Sequence, residues 1–255
     1  MTAGARSARE ARIWGVLGAS GTGKGLFIKQ HLRTERPPRL VVWDFLDEYR
    51  EFAPIARTLR AVQAAMIRAG EAGKLRVRYV PRSTTERELR REFEGLCSLV
   101  YAWESCTFVA EELANVTTPG WAPPAWRKMT TSGRHAGVHV LGTSQTPAMI
   151  DKAFLGNCTL IHCCALREHA HRVAVARSMD IDTAQLAALL PLEWVERDWK
   201  SNEIRRGRIE PPRPRAPTPT PRRGRATGAA KASPSAEPAP VSGHGESLPA
   251  EPAGS

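Results

Sequence analysis

The segment that most constrains the fold lies at residues 18 to 25, where the chain reads GASGTGKG. It follows the apolar run IWGVL and precedes LFI, which resembles the start of a helix. Strand, glycine-rich loop, lysine and helix is the arrangement of a phosphate-binding P-loop. Its glycines permit positive φ, so that successive N–H groups turn toward an anion, and its lysine adds a positive charge. The segment therefore predicts phosphate contacts from Gly18, Ala19, Ser20, Gly21, Thr22, Gly23, Lys24, Gly25 and Leu26.

This P-loop departs from the usual pattern at one position. Gly25 follows the lysine, where a serine or threonine normally places its hydroxyl on Mg2+. The departure affects the expected affinity for metal more than the expected fold. On the motif alone, a glycine turn that merely joins a buried strand to a helix is the alternative interpretation.

Composition divides the chain near residue 210. Eleven of its 20 prolines lie beyond that residue, and residues 211–255 contain almost no large apolar side chain. Such a segment cannot offset its ordering entropy by burying apolar surface. We therefore predict an N-terminal extension over residues 1–11, one domain over residues 12–210 and a disordered tail over residues 211–255.

The charge of the chain favours a polyanionic partner. Its 37 basic and 26 acidic residues give a net charge of +11, and residues 211–255 hold only six of the basic and three of the acidic ones. Most of the excess therefore belongs to the predicted domain, and a pI near 10.0 favours nucleic acid or an anionic membrane surface. A coding bias toward arginine is the alternative explanation.

Several classes of protein are disfavoured by the sequence. The five cysteines lie in apolar segments without metal-ligand spacing, as expected for reduced core residues of a cytosolic protein. No stretch approaches 18 uninterrupted apolar residues, and the first residues lack the apolar region of a signal peptide. We therefore expect a cytoplasmic protein without a transmembrane segment.

Apolar runs alternate with amphipathic runs along the predicted domain, a pattern typical of parallel strands linked by helices. The predicted strands are residues 12–17, 40–44, 75–80, 106–110, 138–143 and 157–165, followed by a β-hairpin of residues 193–199 and 203–209. The predicted helices begin near residue 26, span residues 55–68, follow a capping box at Ser83, and span residues 168–178 and 183–189. The expected fold is an α/β P-loop NTPase of the RecA/ASCE type, with a mainly parallel sheet and a C-terminal β-hairpin.

Two acidic residues follow the predicted strand at residues 106–110. Hydrolysis of a nucleotide requires a phosphate cradle, a metal, a group that activates water and a cation that stabilises the transferred charge. At this strand end, Glu111 is a candidate for the metal shell and Glu112 for polarising the attacking water. Two acids that only stabilise a helix N-terminus are the alternative interpretation.

Two further polar side chains are candidates for the same reaction. Gln145 follows the next predicted strand and is placed to sense the γ-phosphate, although a glutamine there is also common as a loop residue. Arg134 lies between glycines in the stretch SGRHAG, before that strand. It is a candidate arginine finger reaching a neighbouring subunit, or else a surface arginine.

Together, these motifs resemble the FtsK/HerA superfamily of P-loop ATPases over about residues 12–209. Besides the P-loop, VVWDFLDEY at residues 41–49 matches the D-x-x-x-E-Y pattern of that family. FVAEEL at residues 108–113 is similar to its apolar strand ending in D-E, with Glu111 in place of aspartate. GRHAGVHVLGTSQTP at residues 133–147 resembles its G-R-H-x-G and T-Q-x-P elements and is the most specific match.

The resemblance implies ATP and Mg2+ as ligands and a role for each matched residue. It implies that Lys24 contacts phosphate, Glu112 is the catalytic glutamate, Gln145 is the sensor, and Arg134 acts across a subunit boundary. It also implies a homo-oligomeric ring, with a hexamer as one stoichiometry, that moves or packages double-stranded DNA in the bacterial host cytoplasm or with the virion. The docking partner is not implied.

Two other functions are compatible with a P-loop of this kind. A small nucleotide kinase also carries a G-K-G P-loop, but there a threonine follows where this chain has Leu26, and no arginine-rich lid segment is recognisable. A non-hydrolysing nucleotide-binding scaffold for phage or plasmid assembly is favoured if Gly25 has disabled the metal site. The kinase, the motor and the scaffold differ in what they do with the γ-phosphate.

Overall fold

The computed structural model describes residues 12–71 and 73–211. The strands are β1 (Ile13–Leu17), β2 (Arg39–Trp43), β3 (Ile55–Ala56), β4 (Leu75–Tyr79), β5 (Thr107–Ala110), β6 (His139–Ser144), β7 (Leu160–Cys164), β8 (Glu193–Asp198) and β9 (Glu203–Arg208). The helices are α1 (Lys24–Glu35), α2 (Leu59–Ala69), α3 (Glu86–Trp103), α4 (Pro124–Ala136), α5 (Lys152–Asn157), α6 (His169–Met179) and α7 (Thr183–Ala187). The predicted N-terminal extension and residues 212–255 of the predicted tail lie outside the described residues.

The nine strands within the described residues form one sheet in the order β3-β4-β2-β5-β6-β1-β7-β8-β9. Pairing is parallel from β3 through β7, and antiparallel between β7 and β8 and between β8 and β9. The predicted α/β fold, its mainly parallel sheet and its C-terminal hairpin are confirmed. Because parallel strands end at the same edge of a sheet, the segments that follow β1, β2, β5 and β6 come together there.

Helices cover both faces of the sheet, which explains why its central strands are continuously apolar. On one face, Phe93 of α3 is fully buried, and its ring centroid lies 5.1 Å from that of Trp43 in β2 and 5.4 Å from that of Trp126 in α4. On the other face, Ile28 and Leu32 of α1 pack against β1 and β2. Each such side chain stabilises the fold by about 1.5 to 3 kcal/mol through burial of apolar area.

The helix predicted over residues 55–68 begins later than expected. Ile55 and Ala56 form the short strand β3 beside β4, and the helix begins at Leu59. Its N-cap is Thr58, whose hydroxyl oxygen accepts a hydrogen bond from the N–H of Ala61 at 3.1 Å. The helical spacing of apolar residues therefore continued into Ile55 and Ala56, although these two residues form a strand because they pair with β4.

The capping box predicted at Ser83 is wrong by two residues. The N-cap of α3 is Thr85, whose hydroxyl oxygen accepts from the N–H of Glu88 at 3.4 Å. Both positions satisfy the S/T-x-x-E pattern, so the sequence alone does not distinguish them. The Ser83 hydroxyl instead donates to the carboxylate of Glu92 at 2.6 Å.

The prediction that no segment crosses a membrane can be compared with the length and apolar content of the helices. Within residues 12–71 and 73–211, none of them combines the length and the apolar content of a bilayer span.

Candidate nucleotide-binding site

The P-loop connects β1 to α1 and adopts a conformation that requires glycine. Gly18, Gly21 and Gly23 have φ angles of 151°, 75° and 122°, a region that side chains disfavour. Space is restricted as well, because a β-carbon on Gly18 would lie 2.7 Å from the β-carbon of Cys164. The strand, loop and helix predicted from the motif are confirmed.

Backbone hydrogen bonds from two neighbouring strands hold the start of the loop. The N–H of Gly18 donates to the carbonyl of Ser144 at the end of β6, over 3.2 Å. The N–H of Ala19 donates to the carbonyl of Ala165, just beyond β7, over 2.9 Å. The base of the loop is therefore tied to the strands on either side of β1.

The far end of the loop contacts the C-terminal part of the domain. The N–H of Leu192, which precedes β8, donates to the carbonyl of Thr22 over 3.1 Å. A β-carbon on Gly23 would lie 2.7 Å from Cδ1 of the buried Ile209, which follows β9. The closing hairpin thus contributes directly to the shape of the phosphate loop.

Lys24 is the first residue of α1 and turns back over the loop. Its Nζ donates to the carbonyl of Ala19 at 3.3 Å. Burial lowers the pKa of this ammonium, and the carboxylates of Glu112, Glu111 and Glu48 oppose that effect. The ammonium therefore lies among acidic groups in a partly dehydrated site. There its attraction for a bound anion is stronger than it would be in water.

A cavity of about 330 Å³ lies beside the loop and brings the predicted site residues together. Its lining includes Gly21, Lys24, Glu48, Glu111, Glu112 and Gln145. The sheet order explains this meeting, because β5, β6 and β1 are neighbours and their following residues share one edge. The predicted role of Arg134 stays a prediction. That residue lies in the last turn of α4, a helix that the sequence analysis did not predict, and its side chain is outside the described part of the structure.

Glu112 leaves β5 in a left-handed backbone conformation, with a φ of 46°. Its N–H donates to the hydroxyl oxygen of Thr143 at 3.1 Å. Its carboxylate accepts hydrogen bonds from the hydroxyl of Ser144 at 3.1 Å and from the N–H of Gln145 at 3.2 Å. The end of β6 therefore fixes the direction of this carboxylate within the cavity.

Glu111 is a buried carboxyl group in an acidic environment. The residue is only 7% exposed, and its Oε2 has no hydrogen-bond partner among the described residues. Burial, followed by the nearby charges of Asp44 and Glu48, raises its pKa to about 7, while the nearby Tyr49 hydroxyl and Leu46 N–H act in the opposite direction. A buried carboxylate oxygen without a partner, next to other carboxylates, is a suitable ligand for a hard cation such as Mg2+.

The protein side chains do not complete a metal site by themselves. Across residues 12–71 and 73–211, no three His, Cys, Asp or Glu side chains are arranged to hold a metal ion. A cation beside Glu111 would therefore need further oxygen ligands. Mg2+ in nucleotide sites usually takes them from substrate phosphates and water.

The segment after β2 forms a tight turn around Asp44, to which the sequence analysis assigned no role. Asp44 is fully buried, and its carboxylate accepts from the N–H groups of Glu48 at 2.7 Å and Tyr49 at 3.1 Å. The guanidinium of Arg78 in β4 donates to the same carboxylate at 3.1 Å. The aspartate and the E-Y pair four and five residues later therefore form one structural unit, which points Glu48 toward the P-loop.

The parallel sheet, the glycine loop at the amino end of a helix and the carboxylates at the end of an adjacent strand define a P-loop NTPase fold. No protein-family model matches the sequence. The chain is 29% identical over 178 residues to Protein P9 of Pseudoalteromonas phage PM2, an alignment that covers 68% of this chain and 78% of that protein.

Two solved structures share the fold at lower sequence identity. The genome packaging NTPase B204 of Sulfolobus turreted icosahedral virus 2, in complex with AMPPCP, matches with a TM-score of 0.64 and 16% identity, over 79% of this chain and 100% of that chain. VirB4 of Thermoanaerobacter pseudethanolicus matches with a TM-score of 0.59 and 13% identity, over 81% of this chain and 91% of that chain. The predicted resemblance to small viral packaging ATPases is confirmed at the level of the fold.

Proposed function

We propose that the protein is an ATPase that couples ATP hydrolysis to the translocation or packaging of double-stranded DNA. The observation that carries this proposal is the meeting of Lys24, Glu112 and Gln145 in one cavity, at the ends of three adjacent strands. The similarity in fold to a genome packaging NTPase and to VirB4 supports the same conclusion.

Each residue of the cavity has a role in this proposal. The P-loop N–H groups and Lys24 bind the phosphates of ATP. Glu112 polarises the attacking water, and its hydrogen bonds from Ser144 and Gln145 orient it for that purpose. The side chain of Gln145 senses the γ-phosphate, and Arg134 of a neighbouring subunit stabilises the transferred charge.

Glu111 is the residue that we assign to Mg2+, together with oxygen atoms of the nucleotide and water. The buried Oε2 of Glu111 has no hydrogen-bond partner among the described residues, so it is available to a cation. The nearby charges of Asp44 and Glu48 also favour a cation at this place. When bound, the metal neutralises charge on the phosphates.

We propose double-stranded DNA as the partner because the chain carries a net charge of +11 and shares its fold with a viral genome packaging NTPase. An arginine that acts on a neighbouring site requires a homo-oligomer, for which a ring is the expected form. The site of action is then the host cytoplasm or the virion.

Release of phosphate from ATP, measured with and without duplex DNA, tests this function. We expect turnover that duplex DNA stimulates, and its loss in Lys24→Ala. Lys152→Ala removes an exposed lysine at the start of α5, far along the chain from the P-loop, and serves as the matched control. Phosphoryl transfer to a nucleotide acceptor would instead identify a kinase, and ATP binding without any turnover would identify a scaffold.

A further inference from the structure

Gly25, which stands where a P-loop usually has a serine or threonine, lies close to a carboxylate from another part of the chain. A β-carbon placed on Gly25 would lie 3.8 Å from Oε2 of Glu48. Apart from chain neighbours and the backbone of α1 itself, no other described atom lies within 4 Å of that position. The space that a P-loop serine would occupy is therefore bordered by an acidic oxygen.

The position of Glu48 is fixed from two directions. Its backbone N–H is bound by the buried carboxylate of Asp44 at 2.7 Å, which orients the turn after β2. Its Oε2 accepts from Nζ of Lys29 at 3.0 Å. Lys29 lies one helical turn after Gly25 on the same face of α1, so this pair holds the carboxylate beside the helix N-terminus.

Glu48 and Glu111 lie on the same cavity as Lys24. Glu111 provides a carboxylate oxygen that is buried and has no partner within the described residues. Glu48 is about half exposed, with 47% of its side chain accessible, so it can exchange its lysine partner for another cation. Two carboxylates therefore approach the region beside the P-loop lysine, one from β5 and one from the turn after β2.

We propose that Glu48 supplies to nucleotide-bound Mg2+ the oxygen ligand that a P-loop serine or threonine supplies in other P-loop proteins. This inference rests on the proposed nucleotide site and adds a second protein ligand to Glu111. A carboxylate is a harder and more strongly charged ligand for Mg2+ than a hydroxyl, so the glycine at position 25 is compatible with firm metal binding.

Binding of a fluorescent, non-hydrolysable ATP analogue at increasing Mg2+ concentration tests the proposal without requiring turnover. Glu48→Gln keeps the shape of the side chain and removes its charge. We expect it to raise the Mg2+ concentration for half-maximal gain in affinity about 10-fold or more. Electron paramagnetic resonance of bound Mn2+ in the same variants reports on the ligand set directly.

A second substitution tests whether the two positions replace one another. Gly25→Ser combined with Glu48→Gln is expected to restore the Mg2+ requirement toward that of the unmodified protein, whereas Gly25→Ser alone has a smaller effect. Equal effects of Gly25→Ser in both backgrounds would show that the positions act independently, and this would overturn the proposal.

Two controls separate metal binding from a structural role of the Glu48–Lys29 pair. Glu51→Gln breaks a similar ion pair with Arg33 of the same helix, at 2.6 Å, and is expected to leave the Mg2+ requirement unchanged. Lys29→Gln removes the partner of Glu48 and is expected not to raise the requirement. If Lys29→Gln and Glu48→Gln raise it equally, the ion pair rather than the ligand matters, and the proposal is overturned.

Failure of the inference and failure of the proposed function give different results. Mg2+-dependent binding that is insensitive to Glu48→Gln overturns the inference, even if DNA-stimulated turnover is found. A shift in Glu48→Gln without any turnover of the unmodified protein supports the inference and overturns the motor. Absence of nucleotide binding at every Mg2+ concentration overturns both.

Discussion

The hydroxyl of Ser144 donates a hydrogen bond to the carboxylate of Glu112 over 3.1 Å, although 32 residues separate the two in the chain. Ser144 is completely buried, and its oxygen also accepts from the N–H of Thr146 at 3.0 Å. The predicted catalytic carboxylate is therefore oriented by a residue that sits on the strand between β5 and β1.

Ser144→Ala is expected to reduce ATP turnover by about 10- to 100-fold, because a hydrogen bond to a charged group contributes about 1.5 to 3 kcal/mol. Affinity for ATP should change little, since the Ser144 side chain does not line the cavity and the substitution keeps the backbone carbonyl that accepts from Gly18. Steady-state kinetics check this through kcat and KM. A change in KM alone would show that Ser144 supports the fold of the site and does not position Glu112.

Glu112→Gln should retain ATP binding and lose turnover, because an amide keeps the shape of the side chain but cannot polarise water as a carboxylate does. Glu111→Gln should chiefly weaken Mg2+ binding and so raise the Mg2+ concentration needed for half-maximal turnover. The measurements are equilibrium binding of ATP and release of phosphate for both variants. An exchange of the two phenotypes would mean that the roles of the adjacent residues are reversed.

Gly18→Ala is expected to lower the free energy of unfolding by about 2 to 4 kcal/mol, from backbone strain and from overlap with Cys164. Gly21→Ala is the matched control, because its φ of 75° is also unfavourable but a β-carbon there would meet nothing within 4 Å. We expect that variant to lose only about 1 to 2 kcal/mol. Urea denaturation of the two proteins compares these values, and equal losses would show that space at Gly18 is unimportant.

His139 is expected to make stability depend on pH. Burial, followed by the charges of Arg12 and His31, lowers its pKa to about 3. Its ordinary value is about 6.5, so the unfolded chain binds the proton more readily between these values. Stability is therefore fully present above about pH 6.5 and falls as the pH decreases toward 3, by at most about 1.4 kcal/mol per pH unit.

His139→Gln removes this proton-binding group, so the test is the difference in unfolding free energy between the variant and the unmodified protein as a function of pH. The difference is needed because Glu111 acts in the opposite sense. Its pKa is raised to about 7, so its contribution is present below about pH 4.5 and is lost as the pH rises through 7. A difference that does not vary between pH 4 and 7 would contradict the prediction for His139.

The sequence was sufficient to predict those elements and site residues that are defined by a short, contiguous pattern. The P-loop is a contiguous motif, and the position of Glu111 and Glu112 follows from a short apolar strand ending at the binding edge of a parallel sheet. Apolar periodicity also placed most strands within a residue or two of their observed ends.

The contacts between distant segments were not predictable in this way. Glu48 faces Gly25 only because Asp44 closes the turn after β2, and Ser144 meets Glu112 only because β5 and β6 are adjacent. Neither relationship leaves a periodic signal in the chain. The boundary at β3 was missed for the same reason, since a strand of two residues is defined by its partner.

The contact of the closing hairpin with the phosphate loop has a consequence for biosynthesis. The loop spans residues 18–25, yet Leu192 and Ile209, which lie more than 160 residues later in the chain, complete its packing at Thr22 and Gly23. During translation the ribosome therefore releases the nucleotide-binding motif long before the residues that shape it, and the nascent chain cannot acquire the finished loop until residue 209 has emerged. Completion of the loop is then coupled, in each newly made molecule, to the folding of the C-terminal hairpin.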